Sequence, residues 1–307
     1  MLPNFLLPDI AQLTESTSIT LVQSIEQISL DTPLSKQSIL TTYVRQGSGG
    51  TPILLLHGFD SSVLEFRRLL PLLAAENQTW TVDLLGFGFT ERLVGIPFSP
   101  AAIQTHLYFF WKTLIGEPVI LVGASMGGAT AIDFTLSYPQ CVKKLVLIDS
   151  AGYTAEATIG KFLFPPLDYL AVEFLRRSKV REQISRNAYY DKKFVTLDAV
   201  LCTALHLKVQ GWNQALKAFT KSGGYRSLRE KLSQIEQPTL ILWGEFDRIL
   251  GTADAYKFKD AIAQSQLIWI ENCGHVPHLE QPQVTAQHIL AFRDEPSNPV
   301  RRENAPI

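Results

Sequence analysis

Val119-Ile120-Leu121-Val122-Gly123-Ala124-Ser125-Met126-Gly127-Gly128 runs an unbroken apolar segment into a Gly-x-Ser-x-Gly turn, and a helical pattern from Met126 to Tyr138 follows at once. An apolar run without polar alternation is the pattern of a strand buried on both faces of a sheet. The glycines permit a strand-to-helix turn tight enough to project the serine hydroxyl above the sheet. The helix N-terminus behind it supplies free N–H groups and the positive end of a dipole, both favourable to a developing anion. The glycine spacing fits neither a dinucleotide fingerprint nor a phosphate loop with its lysine. Taken alone, the stretch also admits a serine that merely caps a helix.

Outward from this turn the pattern repeats. Residues 37 to 46 alternate like a strand and stop at Gly47-Ser48-Gly49-Gly50; short apolar runs follow at Ile53–Leu56, Thr79–Leu85, Leu145–Ile148, Thr239–Trp243 and Leu267–Ile270. Helical patterns lie between them at Val63–Ala75, Pro100–Ile115, Thr252–Ala263 and Gln283–Phe292. Strand alternating with helix predicts an α/β fold with a mostly parallel sheet covered on both faces. From about Tyr153 to Gln237 only helical patterns occur. The expected organisation is therefore a discontinuous core, 1–152 and 238–307, interrupted by a helical cap insertion, 153–237.

Of the 307 residues 46% are apolar and 19% charged, which excludes disorder over most of the chain. Twenty-eight basic against twenty-nine acidic residues leave a net charge of −1, so nucleic acid is not an expected partner. Cys141, Cys202 and Cys273 are odd in number and widely spaced, which gives neither a disulfide framework nor a zinc site. The apolar N-terminus lacks the basic start and the cleavage site of a secretion signal, and no apolar stretch reaches membrane-spanning length. A cytoplasmic protein is expected, and the sequon at Asn77 is read as chance.

A serine hydroxyl attacks a carbonyl only when a base takes its proton. His106, His206 and His288 lie within helical patterns and read as packing or surface residues. His275, in the loop Gly274-His275-Val276-Pro277-His278 after the last strand, stands at a C-terminal sheet edge, where such folds present catalytic groups. His278 is its rival. With no third ligand pattern beside them, no metal is expected, nor any other cofactor. The base needs an acid to hold its tautomer. Asp247, in Gly244-Glu245-Phe246-Asp247-Arg248 after the preceding strand, fits the order Ser, Asp, His, with Asp149 and Glu245 as alternatives. The loop His57-Gly58-Phe59-Asp60 offers the Phe59 N–H as an oxyanion donor beside that of Met126, while His57 orders the loop rather than acting as a base.

The His-Gly-Phe loop, Asp83-Leu84-Leu85-Gly86-Phe87-Gly88, the Ser125 turn, the Asp247 loop and the Gly274-His275 loop occur in this order over about residues 35 to 295. Together they resemble the α/β-hydrolase superfamily and its cap-bearing members. The resemblance implies the α/β-hydrolase fold: a mostly parallel eight-stranded sheet flanked by helices, a Ser125–His275–Asp247 triad, and a helical cap walling the pocket. Serine rather than aspartate at 125 separates the chain from the haloalkane dehalogenase and epoxide hydrolase branches. Ser-Met-Gly-Gly resembles the turn of carboxylesterases, carbon–carbon bond hydrolases and cofactor-free perhydrolases, and Asp83–Gly88 resembles plant and cyanobacterial members such as chlorophyll dephytylases.

In the cap, Phe162, Leu163, Phe164, Leu167, Leu170, Ala171, Phe174 and Leu175 form an apolar stripe, followed by the basic residues Arg176, Arg177, Lys179, Arg181 and Arg186. The plain reading is cap core and a solvated face. The sharper one lets Phe162, Phe164 and Leu167 line a pocket for the acyl or alcohol group of an apolar small molecule, with peripheral membrane contact. The expected function is a serine esterase working through an acyl-enzyme. Carbon–carbon hydrolysis on the same triad and a slow-turnover ligand-binding receptor are the alternatives.

Overall fold

The computed structural model describes residues 6–154 and 173–296. Eight strands form one sheet: β1 (Ile25–Leu30), β2 (Ile39–Gln46), β3 (Ile53–Leu56), β4 (Thr79–Val82), β5 (Val119–Ala124), β6 (Val142–Ile148), β7 (Thr239–Gly244) and β8 (Ser265–Ile270). Their spatial order is β1-β2-β4-β3-β5-β6-β7-β8. β2 pairs antiparallel with both β1 and β4, and every pairing from β4 to β8 is parallel.

The apolar runs explain the centre of the sheet. Every residue of β3, β4, β5 and β7 is buried, and alternate side chains feed two cores. Leu54, Leu56, Leu121, Leu147 and Trp243 face one side; Ile53, Leu55, Ile120, Val122 and Leu242 face the other. The chain leaves β3 for β4 on one side, and β5 pairs on the other. A crevice therefore opens at the C-terminal ends of β3 and β5, where open α/β sheets bind their ligands.

The helices used below are α1 (Pro100–Leu114), α2 (Met126–Ser137), α3 (Ser178–Ala188), α4 (Leu197–Ala204), α5 (Trp212–Ser222), α6 (Ala253–Ala261) and α7 (Pro282–Asp294). Ser99 caps α1 by accepting the Ala102 N–H, with Pro100 at the first helical position. Between β6 and β7 the described residues form helices and 3₁₀ turns and no strand.

One expectation changes, and one strand lies outside the sequence reading. The helix expected over Val63–Ala75 is a 3₁₀ turn, Val63–Phe66, and a separate short helix, Leu70–Ala74, with Pro71 in its first turn. Proline is tolerated there because its missing N–H would have had no helical acceptor. The edge strand β1 carried no clear alternation: Ile25 and Leu30 are buried and the residues between them are not. Cys141, Cys202 and Cys273 are buried free thiols, and the Asn77 side chain is buried against the Thr51 carbonyl. Among the described residues no helix is long and apolar enough to cross a membrane.

Candidate active site

Ser125 sits between β5 and α2 at φ 52°, ψ −121°, a backbone region that a residue with a Cβ enters only under strain. The surrounding structure holds it there. Its N–H donates to the Ile148 carbonyl at 3.0 Å, and its own carbonyl accepts from Gly128 and Ala151 at 2.9 and 3.0 Å. Gly127 lets the turn close, since a Cβ there would lie 2.0 Å from the Leu56 carbonyl oxygen of β3.

His275 and Asp247 arrive from the loops after β8 and β7. His275 Nε2 lies 3.0 Å from Ser125 Oγ, and Nδ1 lies 2.9 Å from Asp247 Oδ2. The other Asp247 oxygen accepts the N–H groups of Ile249 at 2.7 Å and Leu250 at 3.1 Å. Burial pushes the Asp247 carboxyl up, but the His275 hydrogen bond and charge, with these two N–H groups, outweigh it and hold the carboxyl below its ordinary range. An ionised carboxylate only accepts, so Nδ1 carries the proton and Nε2 presents a lone pair to the serine hydroxyl. The His275 backbone is pinned by its N–H to the Ala188 carbonyl at the end of α3, 2.7 Å away.

Asp149, the alternative acid, accepts the Gly244 N–H at 3.0 Å and meets Asp247, while the hydrogen bond to the imidazole is made by Asp247. Burial, then the neighbouring Asp247 charge, raises its carboxyl well above the usual value. Asp149, Asp247 and His275 gather their ligand atoms within 4.8 Å of one another. A carboxylate already bound to imidazole and to two backbone N–H groups makes a poor cation ligand. Glu245 instead accepts the Asn272 N–H at 3.3 Å.

The loop after β3 closes over the serine, so near that a Cβ on Gly58 would sit 3.4 Å from Ser125 Cβ. Two buried side chains order it from beneath. His57 Nδ1 donates to the Gly58 carbonyl at 2.8 Å, while Nε2 accepts the Leu84 N–H at 3.0 Å. Burial lowers its pKa to about 4, so it is a neutral strut whose lone pair is already used. The Asp83–Gly88 segment supplies that partner. Asp83 accepts the Val63 and Phe89 N–H groups at 2.7 and 2.6 Å, and a Cβ on Gly88, at φ 55°, would meet the Asp83 carboxylate at 2.1 Å.

Glu65 accepts the Gly58 N–H at 3.0 Å and faces His278 Nε2 at 3.2 Å. His278 thus belongs to the loop's support and not to the serine. Burial raises the Glu65 carboxyl, but His278 more than offsets this and holds it at about 2. Above Ser125 and His275 lies a cavity of about 260 Å³, walled in part by Phe59, Leu64, Ile184, Tyr189, Ile249 and Leu279. Met126 begins α2, so its N–H has no helical acceptor one turn back. Phe59 lines the cavity.

Phe162, Phe164 and Leu167 lie outside the described residues. Phe174 is exposed, and Leu175 packs against the core. Arg181, expected on a solvated face, is instead buried and ion-paired with Asp60. His206 is buried in a 3₁₀ turn and also reaches Asp60. The sequence reading passed over Asp60 and Glu65: Asp60 stands in the loop after β3 and Glu65 in the stretch that reads as a helix, and the partners that bury them are remote in the chain.

The alpha/beta hydrolase fold family matches residues 51–282. The alpha/beta hydrolase domain-containing protein VTE7 of Arabidopsis thaliana is 32% identical over 297 residues, covering 94% of this chain and 90% of its own. The 2-hydroxy-6-oxo-6-(2'-aminophenyl)hexa-2,4-dienoic acid hydrolase of Metapseudomonas resinovorans is 29% identical over 259 residues, 82% of this chain and 87% of its own. Lipase 1 of Psychrobacter immobilis is 27% identical over 255 residues, 82% and 80% respectively. With its eight-stranded sheet, the chain is a hydrolase and belongs to the alpha/beta hydrolase fold family.

Proposed function

We propose that the chain is a serine hydrolase that cleaves a carboxylic ester of an apolar small molecule. The observation that carries this reading is the unbroken series from Ser125 Oγ through His275 to Asp247, with contacts of 3.0 and 2.9 Å. His275 Nε2 takes the Ser125 proton as Oγ attacks the carbonyl carbon. The oxyanion is held by the N–H groups of Phe59 and Met126, one from the loop after β3 and one from the start of α2. His275 then gives its proton to the leaving alcohol, and an acyl-Ser125 forms. Water, deprotonated by the same imidazole, releases the acid and restores the hydroxyl. Asp247 stabilises the imidazolium and stays ionised throughout. These steps use side chains, backbone N–H groups and water.

The stretch 153–237 acts as a cap, because α3 contributes Ile184 and Ala188 to the cavity wall. The apolar wall suits an apolar acyl or alcohol group. Phe59, Ile184 and Ile249, each at least 40% exposed although they line the cavity, suit contact with a lipid surface from the cytoplasmic side.

The test is turnover of p-nitrophenyl esters of increasing acyl length, with Ser125→Ala as control and a fluorophosphonate label on Ser125. Multiple turnovers lost in Ser125→Ala support the reading; labelling without turnover supports a slow ligand-binding receptor instead. A second reading follows from the likeness to the dienoic acid hydrolase. Its named substrate class has a ketone and no ester, so hydrolysis there breaks a carbon–carbon bond. Cleavage of such a keto acid, with inert esters, would favour it.

A further inference from the structure

Asp60 follows Phe59 in the loop over Ser125 and has φ 50°, in the left-handed region that disfavours a residue with a Cβ. Its carboxylate is buried at 6% exposure. Oδ1 accepts from Trp212 Nε1 at 2.7 Å and faces His206 Nε2 at 3.2 Å; Oδ2 accepts from Arg181 Nη2. All three partners come from the stretch between β6 and β7: Arg181 from α3, His206 from the 3₁₀ turn after α4, and Trp212 from the first turn of α5. Arg181 is tied further by its Nε–H to the Leu175 carbonyl at 2.9 Å.

A carboxylate this buried is tolerable only because those donors meet it. Every side-chain contact named for it lies in the helical stretch, while its backbone belongs to the sheet core. The strained φ at Asp60 is therefore held partly by helices that leave and rejoin the core more than a hundred residues later. Ser125 and His275 lie outside this cluster, so by way of Asp60 the partner helices bear on the serine's surroundings through the loop, in addition to the direct contact of Ala188 with the His275 N–H.

From this geometry we infer that Asp60 is a positioning residue: its contacts with Arg181, His206 and Trp212 dock the helical stretch onto the oxyanion loop, so that the Phe59 N–H is aligned when the helices are seated. The inference rests on the serine-hydrolase reading above. It makes catalytic competence depend on helix docking as well as on the Ser125–His275–Asp247 contacts.

Trp212 permits the cleaner test because, unlike Asp60 and Arg181, it is not part of the cavity wall. Trp212→Phe removes one N–H and keeps an aromatic ring beneath the Arg176 guanidinium, now 4.9 Å from the indole centroid. Asp60→Asn is the second variant, nearly equal in volume, in case Trp212→Phe unfolds. Each is assayed for kcat and KM on p-nitrophenyl butyrate and for inhibition by an alkyl trifluoromethyl ketone, whose adduct with the serine carries a tetrahedral oxyanion.

The expected result is a roughly tenfold lower kcat for Trp212→Phe, a larger loss for Asp60→Asn, KM within twofold, and ketone affinity reduced in step with kcat. A purely structural cluster would change melting behaviour and KM without this parallel. Folded variants with wild-type kcat and ketone affinity, or with the whole loss in KM, overturn the inference. In those outcomes wild-type turnover leaves the serine-hydrolase reading standing; a wild type that neither turns over esters nor takes up fluorophosphonate overturns both.

Discussion

Replacing Asp247 by asparagine tests the proposed chemistry most directly, because the structure dictates how the amide must sit. In the wild type Oδ1 accepts two N–H groups, from Ile249 and Leu250, and Oδ2 faces His275 Nδ1. An asparagine NH₂ at the first position would meet two donors with a donor. The amide therefore turns its oxygen to the backbone and its NH₂ to His275. Nδ1 must then accept, which moves the imidazole proton to Nε2, where it faces Ser125 Oγ. The base has lost its lone pair, although no atom need move by more than a few tenths of an ångström. A wrong tautomer of this kind lowers kcat by about 10⁴-fold, or about 5.5 kcal/mol of transition-state stabilisation. Fluorophosphonate labelling should slow in proportion, while melting temperature changes little. The assay is kcat on p-nitrophenyl butyrate beside the labelling rate. A folded Asp247→Asn protein that retains more than a tenth of wild-type kcat would refute the assignment and return Asp149 to consideration.

Three further outcomes follow from the same coordinates. Gly127→Ala places a Cβ 2.0 Å from the Leu56 carbonyl oxygen, a backbone atom that cannot swing aside; urea denaturation should show a loss of about 3 kcal/mol or more. His57 and His106, each lowered by burial to about 4 from 6.5, are neutral in the fold and protonate when unfolded. Between pH 6.5 and 4 these two sites bind more protons in the unfolded chain, so the stability they contribute above pH 6.5 falls as pH drops, at up to about 1.4 kcal/mol per pH unit for each residue; the Asp83 and Asp149 carboxyls, raised by burial, act with the opposite sign, so denaturation of wild type beside His106→Gln at pH 7 and pH 5 measures this, and the same pH dependence in both proteins refutes it. If the apolar wall holds the acyl group, each buried CH₂ adds about 0.8 kcal/mol, so kcat/KM for butyrate should exceed that for acetate roughly fifteen-fold. Equal values for the two esters would remove the acyl chain from the cavity.

Much of the fold could be read in the chain because strands such as Ile53–Leu56 and Val119–Val122 are buried on both faces and so are apolar at every position. β1 was not legible for the opposite reason: an edge strand buries little, and Ile25 to Leu30 has no clear period. The serine turn, the His275 loop and the Asp247 loop were legible since each follows directly on a strand, and parallel strands carry their C-terminal loops to one edge. Remote pairing was not. Arg181 stands in a run of basic residues that looks solvated, and only the folded chain brings it to Asp60, 121 positions away. Glu65 falls within the Val63–Ala75 stretch that reads as a helix, and only folding puts the Gly58 N–H and His278 against it.

These remote contacts divide the work at the site. The sheet core sets the serine: β5 and α2 fix its backbone, β6 accepts its N–H, and the loops after β7 and β8 bring Asp247 and His275. The stretch between β6 and β7 touches the two elements whose alignment matters most to the reaction. Through Ala188 it accepts the His275 N–H, and through Arg181, His206 and Trp212 it grips the loop that carries Phe59. A shift of α3 would therefore disturb both His275 and the loop of Phe59, the proposed base and oxyanion donor, since Ala188 and Arg181 belong to that one helix. Substitutions within α3 that alter substrate preference through Ile184 should for this reason change kcat as well as KM. A series of Ile184 variants in which only KM moves would mean that the helix lines the pocket without steering the chemistry.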